Sequence, residues 1–261
     1  MRMKVSSNNE LSNNEEIFSK FGSYDLKDEL TLTLPNNTMT LHDISDGKFL
    51  YQRVSQNEII KKIIQSNSSQ IKIELVPVLP IHIPSYKTDF FFLQFAEPLF
   101  INGLSNMKGQ VSIPIEIGVF LLDQIIPVAF DFFSCDYQNA RFGLYGLPID
   151  GNLCKYAITS LENNHSILQS FDHAQLVIEI KNELEEPVNI SKLVFPVIDH
   201  DLYFHGNNVV MDGLKATIKN RIGLQVVEMH QNNLKIPKGW CLATRDIQKK
   251  NHDFSMEKGF A

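Results

Sequence analysis

Residues 111–117 read Val-Ser-Ile-Pro-Ile-Glu-Ile, and this alternation constrains the fold more than any other stretch of the chain. Val111, Ile113, Ile115 and Ile117 recur at every second position, with Ser112, Pro114 and Glu116 between them. Successive side chains of an extended strand point to opposite faces, so a period of two gathers the apolar residues on one side; a helix would scatter them. Proline has no N–H to donate to a ladder, which places Pro114 on an edge strand or at a bulge. The same period runs through Leu30–Leu34, Ile71–Leu75 and Leu176–Ile180.

Other segments extend the pattern. Pro35-Asn36-Asn37 is a turn signal between Leu30–Leu34 and a strand over Thr38–Ile44, and Asp46-Gly47 leads into Phe49–Val54. In Asn57–Gln65, Ile59, Ile60, Ile63 and Ile64 fit one helical face, but β-branching tips the reading to a strand. Phe90–Phe95 is apolar on both faces, as a buried strand is, and Leu99–Ile101 continues it after Glu97-Pro98. The stretch Pro77–Pro84 is expected at an edge or in a crossing loop. Leu176–Ile180, the acidic connection Asn182–Glu186 and the return Pro187–Val197 read as a hairpin of immunoglobulin-like character. Glu97-Pro98-Leu99-Phe100-Ile101 and Glu186-Pro187-Val188-Asn189-Ile190 echo each other.

Strands without long helices must bury their apolar faces sheet on sheet. The expected fold is therefore all-β, with two antiparallel, immunoglobulin-like β-sandwich domains packed together. The first spans residues 21–140 and the second 146–246, with flexible segments at 1–20 and 247–261 and a boundary in the Gly/Tyr-rich stretch near 134–146. A 43% hydrophobic content with 18 phenylalanines supplies the core.

Charge and cysteine usage narrow the function classes. A net charge of −6, with only short basic pairs such as Lys61-Lys62 and Lys249-Lys250, argues against a nucleic-acid binder. No apolar run approaches the roughly 20 residues of a membrane helix. Cys135, Cys154 and Cys241 are odd in number and form no Cys-x-x-Cys, as expected of free thiols in a reducing compartment. The chain has no apolar leader after Met1-Arg2-Met3-Lys4, and the expected location is cytoplasmic.

The segment Arg141–Tyr156 sets Arg141, Tyr145, Lys155 and Tyr156 among Gly143, Gly146 and Gly151. Arginine and tyrosine are common recognition side chains, and glycines permit close approach, so these four residues are the candidate ligand- or partner-binding set. The competing reading is an ordered linker whose aromatics pack between sheets. Gly143-x-x-Gly146 lacks the Gly-Lys-Ser/Thr ending of a phosphate loop. Asp201 and His205 share a strand face while His200 points away, a poor metal set, and no metal or other cofactor is expected. His42-Asp43 and Asp172-His173 are strand neighbours facing opposite ways, so no catalytic residue is assigned. The leading reading is a non-enzymatic binding module for a protein partner or small ligand. The alternative is a hydrolase using groups near Cys154 or His200/His205.

Phe91–Val119 and Leu144–Tyr156, through Pro-Ile-Glu-Ile-Gly-Val and Tyr-Gly-Leu-Pro, resemble an archaeal-centred family of unassigned function, number 432 among the domains of unknown function. The resemblance covers most of residues 21–230. Where the second block of that family commonly has Arg before its final Tyr, this chain has Lys155, which weakens a bidentate anion role. The resemblance implies no activity. It implies, through gene neighbourhood, a membrane channel as a candidate partner.

Overall fold

The computed structural model describes residues 18–26, 28–66, 71–83, 87–123, 126–136, 141–147, 149, 151–162, 171–233, 235–236 and 238–243. The expected flexible segments lie outside the described residues, apart from 18–20. The fold is all-β, and four sheets carry it.

Sheet one has the order β1 (Gly22–Leu26), β6 (Ile71–Val78), β9 (Glu116–Leu121) and β10 (Val128–Phe133). Sheet two is a meander of β2 (Glu29–Leu34), β3 (Asn37–Ser45), β4 (Lys48–Ser55) and β5 (Ile59–Gln65). Its inner face carries Leu32, Met39, Phe49 and Tyr51, and its outer face carries Thr31, Thr33, Thr38 and Thr40. Sheet three has the order β11 (Phe142–Tyr145), β12 (Asn152–Thr159), β7 (Phe90–Ile101) and β14 (Val188–Pro196). Sheet four runs β18 (Cys241–Leu242), β15 (Leu202–His205), β16 (Asn208–Arg221), β13 (His173–Asn182) and β8 (Ser105–Pro114), and β17 (Leu224–Asn232) pairs with β16 alone. One apolar cluster holds residues of all four sheets.

The Val111–Ile117 alternation is divided between two sheets. β8 ends at Pro114 as an edge of sheet four, and β9 begins at Glu116 inside sheet one. Between them Ile115 donates its N–H to the Asp172 carbonyl at 2.9 Å. Both faces are covered at this crossing, so Glu116 is buried along with the isoleucines.

Pro77 lies in β6 beside β9, and among the described residues β1 pairs only as far as Leu75, so Pro77 sits on a locally open edge and residues 79–83 after it form no strand. Several expectations are corrected. β13 and β14 are not a hairpin: β13 enters sheet four and β14 sheet three. Asn182 ties the arch down, its buried amide donating to the carbonyls of Asn102 at 3.0 Å and Glu186 at 2.9 Å and accepting from Leu184 N–H at 3.0 Å. The stretch read as a linker contains β11. The sheets are not purely antiparallel, because β12 runs parallel to β7 and β13 parallel to β16. Parallel neighbours need long crossovers and leave no local sequence signal. Sheets three and four each draw strands from both sides of residues 134–146. The two echoing Glu-Pro segments pair with each other, Leu99 opposite Ile190 and Ile101 opposite Val188.

A buried ionic knot fastens sheet two to sheet one. Asp131 on β10 accepts from Tyr51 Oη at 2.7 Å and Arg53 Nε at 2.8 Å, and Lys62 Nζ lies 3.2 Å from its other oxygen. Burial first, and then the adjacent Asp131 carboxylate, push the Tyr51 phenol above its ordinary pKa, so it stays a donor.

Candidate functional site

Sheet three positions the four sequence candidates and separates them. In the parallel pair, Lys155 lies opposite Phe91 and Tyr156 opposite Phe92. Neighbours on a strand face opposite ways, so Lys155 and Tyr156 cannot serve one site.

Tyr156 points outward with Phe92. Their rings meet edge to face at 5.2 Å, and Tyr145 from β11 meets Phe92 at 6.0 Å in the same manner. Both geometries suit aromatic quadrupoles. Gly143 permits the row: a Cβ there would lie 3.2 Å from Phe92 Cδ1 and 3.5 Å from Tyr156 Cδ2. Tyr156 Oη donates to Gln94 Oε1 at 3.0 Å, and Lys192 Nζ on β14 stands 5.8 Å from the Phe92 ring centre. Arg141 is exposed at the start of β11, its carbonyl accepting the Tyr156 N–H at 3.0 Å. Tyr145 keeps 47% of its surface exposed. The result is an aromatic row, exposed at Tyr145 and partly at Tyr156 and covered at Phe92 (8% exposed), with Lys192 over its centre and Arg141 at its edge.

Lys155 lies on the other face with 1% exposure. Its ammonium donates to the Ile83 carbonyl at 2.9 Å and to Glu116 Oε1 at 3.2 Å, and lies 5.3 Å from the Phe142 ring centre. Glu116 also accepts the backbone N–H of His82 at 2.7 Å and of Ile83 at 3.3 Å. The His82 ring stacks on Phe132 at 4.1 Å. A carboxylate with these donors and an ammonium with these acceptors form a satisfied internal pair. Lys155 therefore belongs to a latch joining the segment after β6 to β12 and β9, and not to the open face.

The enzymatic candidates are dispersed. Cys154 is buried beside the Asn152 carbonyl at 3.4 Å, and burial raises its thiol pKa, which disfavours the thiolate. His200 is buried, with Nδ1 3.2 Å from the Asp212 carbonyl, and burial lowers its pKa. His205 is exposed near Trp240, ring centres 5.9 Å apart. Among the described residues no group of three or more His, Cys, Asp or Glu is arranged to hold a metal ion. Among them also, no helix is long and apolar enough to cross a membrane.

Sequence reasoning missed Phe92, Gln94 and Lys192. Only the pairing of β7 with β12 and β14 brings them beside Tyr156, and nothing local to residues 90–94 signals it.

Fold and face together describe an all-β chain with an open aromatic sheet surface. Residues 20–257 match the family model described as protein of unknown function (DUF432), and the chain belongs to that family. No curated protein and no solved structure matches it.

Proposed function

We propose that this chain is a non-enzymatic binding module whose recognition surface is the outer face of sheet three. The observation that carries the reading is the Tyr145–Phe92–Tyr156 row, accessible at Tyr145 and accompanied by Lys192 and Arg141. Exposed tyrosine and arginine are the side chains that dominate binding energy at interfaces. The chemistry this face suits is a planar or aromatic group bearing negative charge, stacked on the row and held by the two cations. The chain acts in the cytoplasm in this reading, which its three free thiols support.

The test compares native purification of the wild-type chain with that of Arg141→Ala/Tyr145→Ala. A partner or small molecule that accompanies the wild type and is lost from the variant, with an unchanged far-UV spectrum and melting temperature, supports the proposal. Retention of the same companion by a folded variant overturns it.

A further inference from the structure

Among the described residues, sheets three and four each end in a strand whose outer edge pairs with no other strand. β14 is the edge of sheet three opposite to β11, β17 pairs with β16 alone, and the two do not pair with each other. Clefts open at both ends of the space between them. One, of about 560 Å³, is lined by Glu183, Glu185 and Glu186 before β14 and by Lys219 and Gln225 of the β16–β17 hairpin. The other, of about 480 Å³, is lined by Phe195 and Pro196 at the end of β14 and by Met229 and Gln231 near the end of β17. The two strands thus run in the same direction along the walls of one gap.

The edge that β17 presents follows from its turn. Ile222 and Gly223 both have positive φ, 54° and 76°, which is the two-residue type I′ hairpin turn. Such a turn makes Arg221 and Leu224 a hydrogen-bonded pair, and the register continues unbroken to Gly213 and Asn232. Alternation then turns the N–H and C=O groups of Gln225, Val227, Met229 and Gln231 away from β16, onto the outer edge of sheet four. The side walls are apolar: Val188 and Ile190 on β14 and Met229 on β17 pack against the core without being covered, and Val227 is 51% exposed. An unpaired edge beside apolar walls is a template for an added strand.

The acidic end is held in place. Leu104 N–H donates to the Leu184 carbonyl at 2.8 Å, and a side chain on Gly103 would collide with the Glu185 carbonyl oxygen. Glu183 pairs with Lys181 at 2.7 Å, whereas Glu185 and Glu186 take part in no ion pair among the described residues. Two uncompensated carboxylates at the mouth of the gap complement a cation on the guest.

We propose that the gap between β14 and β17 receives an extended segment of a partner protein as an added strand. The segment carries alternating apolar side chains and ends in a Lys or Arg that meets Glu185 and Glu186. The site stands independently of the aromatic face. The test is selection from a random nonapeptide library displayed on phage, using the full chain. The wild type enriches peptides of alternating apolar residues with a basic residue at one end. Val227→Pro removes an outward N–H without removing a β16 bond, and weakens the selected peptides at least tenfold. Glu185→Lys/Glu186→Lys, two exposed changes, switches the enriched end from basic to acidic, which decides the matter even if Val227→Pro unfolds. Absence of enrichment, a consensus indifferent to the charge swap, or association of the chain with its own copies that a folded Val227→Pro abolishes would overturn the proposal.

Discussion

At the residue scale, two consecutive residues divide a buried ion pair from the outer face of sheet three: Lys155 pairs with Glu116, and Tyr156 packs on Phe92. Lys155→Met leaves Glu116 buried without its cation, and loss of one partner from a buried pair costs about 3–5 kcal/mol. Urea unfolding is expected to show that loss. Tyr145→Ala, on the half-exposed face, is expected to cost about 1 kcal/mol or less. Equal costs would contradict the division of the four candidates between two faces. Asp172 supplies a pH test. Its Oδ1 is buried without a hydrogen-bond partner among the described residues, and burial, followed by the charge of Asp136, lifts its carboxyl pKa to about 6. Between its ordinary value near 3.8 and about 6, the folded chain holds a proton that the unfolded chain releases. This group's contribution to stability therefore falls as pH rises through that window. Asp172→Asn is expected to raise the melting temperature more at pH 7 than at pH 4.5; an equal change at both would contradict the assignment. That Tyr145 and Tyr156 share a strand face was legible from alternation once β11 and β12 pair. The burial of Lys155 was not, because its partner Glu116 lies 39 positions away in the chain.

At the scale of elements, local period was readable and pairing was not. The strands around Leu30–Leu34, Thr38–Ile44 and Phe49–Val54 form where alternation and turn residues place them, because a meander pairs neighbours in sequence. The Ile-rich segment is the strand β5, as β-branching suggests. The acidic connection after Asn182 looked like a hairpin loop because both flanking strands are regular. They enter different sheets, and the Asn182 amide ties their connection to Asn102, 80 positions away, a contact with no local signal. The β16–β17 hairpin shows the reverse, a proper hairpin with an unsuitable residue at its tip. Ile222 is 98% exposed and left-handed, a conformation that costs a β-branched residue about 1–2 kcal/mol. Ile222→Asn is expected to stabilise the chain by about 1 kcal/mol in denaturant unfolding, since Asn tolerates this turn. Destabilisation would mean that the isoleucine makes contacts the turn geometry does not show.

For the whole molecule, strand sharing decides cooperativity. β7 takes its neighbours from β12 and β14, and β8 pairs with β13, so a chain cut near residues 134–146 loses ladders on both sides. The full chain is expected to unfold in one calorimetric transition, and fragments 21–140 and 146–246 to show no cooperative unfolding when expressed apart; two separate transitions would contradict this. All-β character was legible because alternation needs only neighbours in sequence. The four-sheet arrangement was not, because crossovers and parallel pairs are fixed by long-range packing. The proposed function rests on the aromatic row of sheet three, and oxidative footprinting tests that proposal most directly. Labelling of Tyr145 and Tyr156 is compared between native extract and purified protein, with exposed Ile126 as reference. Protection of both tyrosines in the extract, lost on purification, is the expected result. Equal labelling of Tyr145 in both, with protection elsewhere on the surface, would contradict the account.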